Sequence, residues 1–239
     1  MKKQLTRKEL FDSIVAPSEQ HLACVLLLDS SYSMIGDRID SLNAAIKRFK
    51  RNVMTDEIAR KRVEIAIVTF NSEVEVISDF VPIERMPTPE IRATGNTDMA
   101  GGINKAIELV KQRTREYQCL GTSFHKPWIF MITDGVSNSP IDEMLQATRN
   151  IHFEHKQGCG LKFWVLGVAD YDVDGMYQLT DEVVELQNED FTAVFDWLSE
   201  SMVSVSKTSI FEDAGLKYDD MPDGVIKKKN IKNDRRGNV

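Results

Sequence analysis

The chain has 239 residues, 42% of them hydrophobic and 28% charged, with only 13 Gly and 7 Pro. That composition excludes low-complexity and collagen-like chains, and the length suits one large domain with a sizeable core. The formal charge of −7 argues against a generic polyanion binder, although Lys227–Val239 carries +5 and leaves −12 on the rest.

Leu22–Leu28 is a continuous apolar run ended by Asp29, the pattern of a strand buried on both faces. Ile39, Leu42, Ile46, Phe49 and Val53 then recur at spacings of 3, 4, 3 and 4, which predicts an amphipathic helix. Val63–Phe70 reads as a second strand. Glu73–Ile77 alternates charge with valine, as a half-exposed edge strand would, and Asn71-Ser72 offers the turn of an antiparallel hairpin. Beyond a Pro-containing loop, Met99, Ile103, Ala106 and Val110 mark another helix. Pro127–Thr133 is a strand closed by Asp134-Gly135, Ile141–His155 a helix, and Leu161–Val168 a strand. Val183–Leu186 is a short strand, and Phe191, Val194, Phe195, Leu198, Met202 and Val205 give the stripe of a final helix.

Strand–helix alternation of this kind predicts an α/β, three-layer Rossmann-like sandwich. Its central sheet is expected to be mainly parallel, with one antiparallel edge strand. The domain is expected over residues 21–208. Residues 1–20 are expected as an N-terminal extension and residues 209–239 as a C-terminal extension with the basic tail.

In open α/β sheets, function sits in the loops at the carboxyl ends of the strands. Three such loops carry oxygen ligands: Asp29-Ser30-Ser31-Tyr32-Ser33, Gly95-Asn96-Thr97-Asp98, and Thr133-Asp134-Gly135. Hydroxyls with few carboxylates suit a hard cation, Mg²⁺ first and Mn²⁺ or Ca²⁺ next. The ordinary structural reading is that the aspartates cap helices and the hydroxyls fill turns. Three loops meeting at one sheet edge favour the metal reading.

Asp29-x-Ser31-x-Ser33, then Thr97, then Asp134-Gly135 resembles the metal-ion-dependent adhesion site (MIDAS) of von Willebrand factor A (vWA) domains. Within that family, LACVLLLDSSYSM, VEIAIVTFNSEVEV, HKPWIFMITDG and FDWLSESMVSVS are most similar to the bacterial TerY/YegL group, associated with tellurite-resistance and stress gene clusters. Tyr32 stands where such domains usually have Gly. The resemblance implies a metal site of Asp29, Ser31, Ser33, Thr97 and Asp134. Ser31 and Ser33 would coordinate directly, Thr97 directly or through water, and the two aspartates mostly through water. It also implies a non-catalytic module that binds a partner's carboxylate through the cation. The implied partners are proteins, including kinases and PP2C-type phosphatases of the same system; neither a membrane nor nucleic acid is expected.

A second acidic loop, Asp170-Tyr-Asp172-Val-Asp174-Gly175 with Asp181, resembles a calcium loop in spacing. A strand rather than a helix precedes it, so helix capping by Asp172 or Asp174 is the plainer reading. His152 and His155, with Cys159 beyond, lack a fourth zinc ligand. Neither a Gly-x-Ser-x-Gly elbow nor a phosphate-binding glycine motif is present. The alternative function is a metal-dependent phosphoester hydrolase, which would want a Lys or Arg that those three loops lack. Three scattered Cys, no signal-peptide pattern and no run near the ~18–20 apolar residues of a span lead to the expectation of a soluble, reduced, cytoplasmic protein.

Overall fold

A computed structural model describes residues 14, 17–169 and 171–227. The apolar runs become strands β1 (Leu22–Asp29), β2 (Val63–Phe70), β4 (Trp128–Thr133) and β5 (Lys162–Val168), with β3 (Val74–Pro82) following β2. Every residue of β1, β2 and β4 is buried, because helices cover both faces of the sheet. Those helices are α1 (Asp37–Met54), α2 (Ala59–Arg62), α3 (Met99–Leu120), α4 (Ile141–Lys156), α5 (Val173–Leu179) and α6 (Phe191–Lys207). Strand pleating divides β1 between two cores. Leu22, Cys24, Leu26 and Leu28 pack with the apolar stripes of α1 and α6, while Ala23, Val25 and Leu27 pack with α3, α4 and α5.

Together with β6 (Val183–Leu186) and β7 (Val225–Lys227), the sheet has seven strands in the order β3-β2-β1-β4-β5-β6-β7. The five inner strands are parallel; β3 pairs antiparallel with β2 and β7 antiparallel with β6. This is the expected sandwich with a second antiparallel edge strand. Val225 and Ile226, between Gly224 and a lysine run, are too few to show a period of two. Leu216 and Val225 are buried in the α1/α6 core, so part of the segment read as an extension packs on the fold. β3 is also longer than Glu73–Ile77, because two register shifts against β2 absorb the break in alternation and Phe80 reaches the core.

Strand order reverses between β1 and β4. Connections leave β1 toward β2 on one side, and the chain returns through α3 to β4 on the other. Asp29 ends β1 and Thr133 ends β4, so their loops face each other across the switch point, where open α/β sheets place ligands. Among the described residues, no helix is long and apolar enough to cross a membrane.

Candidate metal centre

At the end of β1 the Asp29 carboxylate is fully buried. One oxygen accepts the Ser31 backbone N–H at 2.8 Å, and the other accepts the Thr133 hydroxyl at 2.6 Å. The chain then turns through a short 3₁₀ helix, Tyr32–Met34, which brings Ser31 Oγ and Ser33 Oγ to 3.0 Å. Ser33 Oγ donates to Asp134 Oδ1 at 2.7 Å. A continuous run of hydrogen bonds thus links Thr133, Asp29, Ser31, Ser33 and Asp134. Four of the five residues singled out from the sequence belong to it.

The fifth, Thr97, is buried on the neighbouring loop, which is stitched to both sides of the run. Thr94 N–H donates to Ser30 O at 2.8 Å and Tyr32 N–H to Gly95 O at 2.9 Å. Thr97 exchanges bonds with Asn138: its N–H donates to Asn138 Oδ1 at 3.0 Å, and Asn138 N–H returns to Thr97 O at 2.9 Å. Gly95 lets the same loop pack against Ser72. Its φ is +73°, and a Cβ there would lie 2.6 Å from Ser72 Oγ. Asp98, next in sequence, caps α3 through Gly101 N–H at 3.0 Å and accepts the Ser139 hydroxyl at 2.9 Å.

Two carboxylates and three hydroxyls make a hard-oxygen donor set. Burial raises the Asp29 carboxyl above its ordinary pKa against the pull of the Ser31 and Thr133 hydrogen bonds, and the charge of Asp134 adds to the rise. A buried anion beside a second anion is what a bound cation would relieve, so these residues fit a divalent ion.

Residues 24–136 match the sequence profile of the von Willebrand factor type A domain family. Just under half of the chain therefore resembles a vWA domain. No curated protein matches the chain. A von Willebrand factor type A structure from Catenulispora acidiphila is similar at a TM-score of 0.59 and 13% identity, over 77% of this chain and 43% of that one. The vWF domain of the type V pili tip protein Mfa5 from Porphyromonas gingivalis gives 0.58 and 13%, over 80% of this chain and 98% of that one. Proximal thread matrix protein 1 from the mussel byssus, described with a zinc-occupied MIDAS motif, gives 0.50 and 13%, over 77% and 48%. The chain thus spans less than half of the first and third of these proteins. At such identities they share its fold.

Sequence reasoning missed Arg38. It lies at the second position of α1, yet its Nη1 donates to Asp134 Oδ2 at 2.8 Å and to Ser33 O at 3.1 Å. Its Nε and Nη2 hold Glu189 Oε1 at 2.8 and 2.7 Å. The signal was there: a cation in the first turn opposes the helix dipole and calls for carboxylate partners. The loops themselves lack Lys and Arg, but the fold delivers an arginine to them. Around the site, Tyr32 is 71% exposed, Ile35 52% and Val136 60%, an apolar rim on the same surface.

The second acidic loop is placed differently. Asp170 lies outside the described residues. Asp172 caps α5 by accepting Gly175 N–H at 3.0 Å, and Asp174 sits in that helix's first turn. Residues 173–179 are helical, so the calcium-like spacing does not form a loop. His155 Nδ1 pairs with Leu161 O at 2.9 Å. Among the described residues, no group of three or more His, Cys, Asp or Glu side chains is arranged to hold a metal. The basic tail beyond Lys227 also lies outside the described residues.

Proposed function

We propose that this chain is a vWA-type, non-catalytic, divalent-cation-dependent protein-interaction module, an adaptor of the cytoplasm whose partner presents a carboxylate. The observation that carries the reading is the hydrogen-bonded run from Thr133 to Asp134 at the switch point, oxygen-rich but with only two carboxylates. Asp29, Ser31, Ser33, Thr97 and Asp134 would hold the ion, Mg²⁺ before Mn²⁺ or Ca²⁺. Two carboxylates balance a dication while neutral hydroxyls donate little charge, so the bound ion would retain affinity for an incoming carboxylate.

The protein's own part is positional. Thr133 and the Ser31 N–H fix the Asp29 carboxylate, the 3₁₀ turn keeps the two serine hydroxyls within 3.0 Å, and the Thr94–Ser30 and Tyr32–Gly95 bonds hold the neighbouring loop against them. Tyr32, Ile35 and Val136 supply apolar contact around the acidic residue of a partner. The zinc-occupied MIDAS of the mussel protein supports metal binding by this fold. The TerY/YegL-like segments support a stress or tellurite-resistance system, with a kinase or PP2C-type phosphatase as partner. Three free thiols at Cys24, Cys119 and Cys159 suit a reducing compartment.

Isothermal titration with Mg²⁺ and Mn²⁺ tests the site: one binding event is expected, abolished by Asp29→Ala and by Asp134→Ala. Unchanged binding in both variants would end the proposal. EDTA-sensitive capture of a partner by the wild type but not by Asp134→Ala tests the interaction.

Arg38 gives the alternative, metal-dependent phosphoester hydrolysis, the cationic group that the loops lack. Against it, both carboxylates already accept two hydrogen bonds each, and neither is free to serve as a general base. Turnover of p-nitrophenyl phosphate with Mn²⁺, lost in Arg38→Gln, would favour the hydrolase.

A further inference from the structure

Arg38 stands between two carboxylates with opposite surroundings. The Asp134 side chain is fully buried and belongs to the proposed metal centre, whereas the Glu189 side chain is 43% exposed and lies outside it. The guanidinium, 27% exposed, reaches both at 2.7–2.8 Å and also holds the Ser33 carbonyl. Helix stability does not explain the residue, since a cation in the first turn of α1 opposes the dipole. Glu189 is held in an unusual backbone state, with φ at 55°, one residue before the Asp190 cap of α6. The carboxylate that meets Arg38 therefore comes from a constrained turn.

An arginine keeps its charge at every accessible pH. Placed on Asp134, it offsets one of the two carboxylate charges that a dication would meet and commits Oδ2 to a hydrogen bond. Glu189 acts in the opposite direction. Its charge neutralises Arg38 from the far side and lowers the positive potential that the site feels.

Resting on the metal-centre reading above, we propose that Arg38 is the site's resident counter-cation and sets its affinity for divalent ions, and that Glu189 tunes this effect through Arg38. Neither residue belongs to the proposed donor set; replacing Arg38 removes its charge and frees Asp134 Oδ2, and both changes favour a cation.

The experiment is a Mn²⁺ titration read by electron paramagnetic resonance on the full chain. The variants are Arg38→Gln, Arg38→Lys, Glu189→Gln and the double variant Arg38→Gln/Glu189→Gln, each with its fold checked by circular dichroism. Arg38→Gln should bind Mn²⁺ about tenfold more tightly, as removal of one opposing charge at close range implies. Arg38→Lys keeps the charge and should stay within about threefold of the wild type. Glu189→Gln should bind more weakly, and the double variant should bind like Arg38→Gln, because Glu189 acts through the arginine.

Equal or weaker binding by Arg38→Gln would overturn the proposal. So would an effect of Glu189→Gln of the same size with and without Arg38, which would mean that Glu189 acts on the ion directly. Absence of Mn²⁺ binding by the wild type and every variant would instead overturn the metal-centre reading beneath it.

Discussion

Thr133 and Asp29 are 104 positions apart, yet the Thr133 hydroxyl donates to Asp29 Oδ2 at 2.6 Å, with both residues fully buried. The bond closes the two sides of the switch point, β1 and β4, directly beneath the exposed Ser33. It also means that the innermost carboxylate of the site is held by the sheet and not by a flexible loop.

Removing the Asp29 charge should not unfold the metal-free protein. An acid whose pKa is raised on folding gives its full contribution to stability below its unfolded pKa, and loses it as pH rises through the folded value. For Asp29 that loss begins above the ordinary carboxyl range near 3.8 and continues upward. In EDTA, Asp29→Asn should therefore melt at or above the wild type at neutral pH, with the advantage shrinking toward pH 4. Melting curves across that range measure it; a severe loss at neutral pH would make Asp29 a structural residue only.

Tyr32→Ala removes a ring that is 71% exposed on the rim of the site. Stability should change by no more than about 0.5 kcal/mol, as for most surface substitutions. Mn²⁺ affinity should be unchanged while EDTA-sensitive capture of the partner falls. Loss of metal binding in this variant would show that the ring organises the loop.

Gly102→Ala tests the packing of α3 on the sheet. A Cβ at this position would lie 2.9 Å from Phe70 Cβ and 3.0 Å from its Cγ, so helix and strand must separate. Overpacking of this kind costs about 1–3 kcal/mol, enough to outweigh the better helix propensity of alanine. Urea denaturation should show a lower midpoint with an unchanged slope.

At the opposite end of the sheet, Arg113 holds the buried Glu64 with two hydrogen bonds of 2.8 and 2.7 Å, and the Tyr117 hydroxyl donates to the same carboxylate. Arg113→Met would strand that carboxylate and should cost about 3–5 kcal/mol. The paired change Glu64→Leu with Arg113→Met should cost less, because the fully buried carboxylate leaves with its partner, while Glu116 loses its Arg113 bond but keeps that of Gln112 Nε2. Denaturation of the single and double variants gives the comparison; equal costs would show that the arginine matters through its packing.

The sequence by itself determined the layered architecture. Apolar runs such as Leu22–Leu28 can be covered only by helices on both faces, and the α1 and α6 stripes supply one of the two covers. It also determined where side-chain oxygens gather, because each of the three loops carries them in a few adjacent residues. What it left open depends on contacts between distant segments. β7 is three residues long and exists because β6 offers it an edge. Asp172 became a helix cap because residues 173–179 wind into α5. Arg38 stands in the first turn of α1 with Asp37 and Asp40. Only the packed fold brings it to Asp134, 96 positions away, and to Glu189, 151 away. Periodicity encodes which face of an element is buried, but a side chain's charge partners are set by how the elements are stacked.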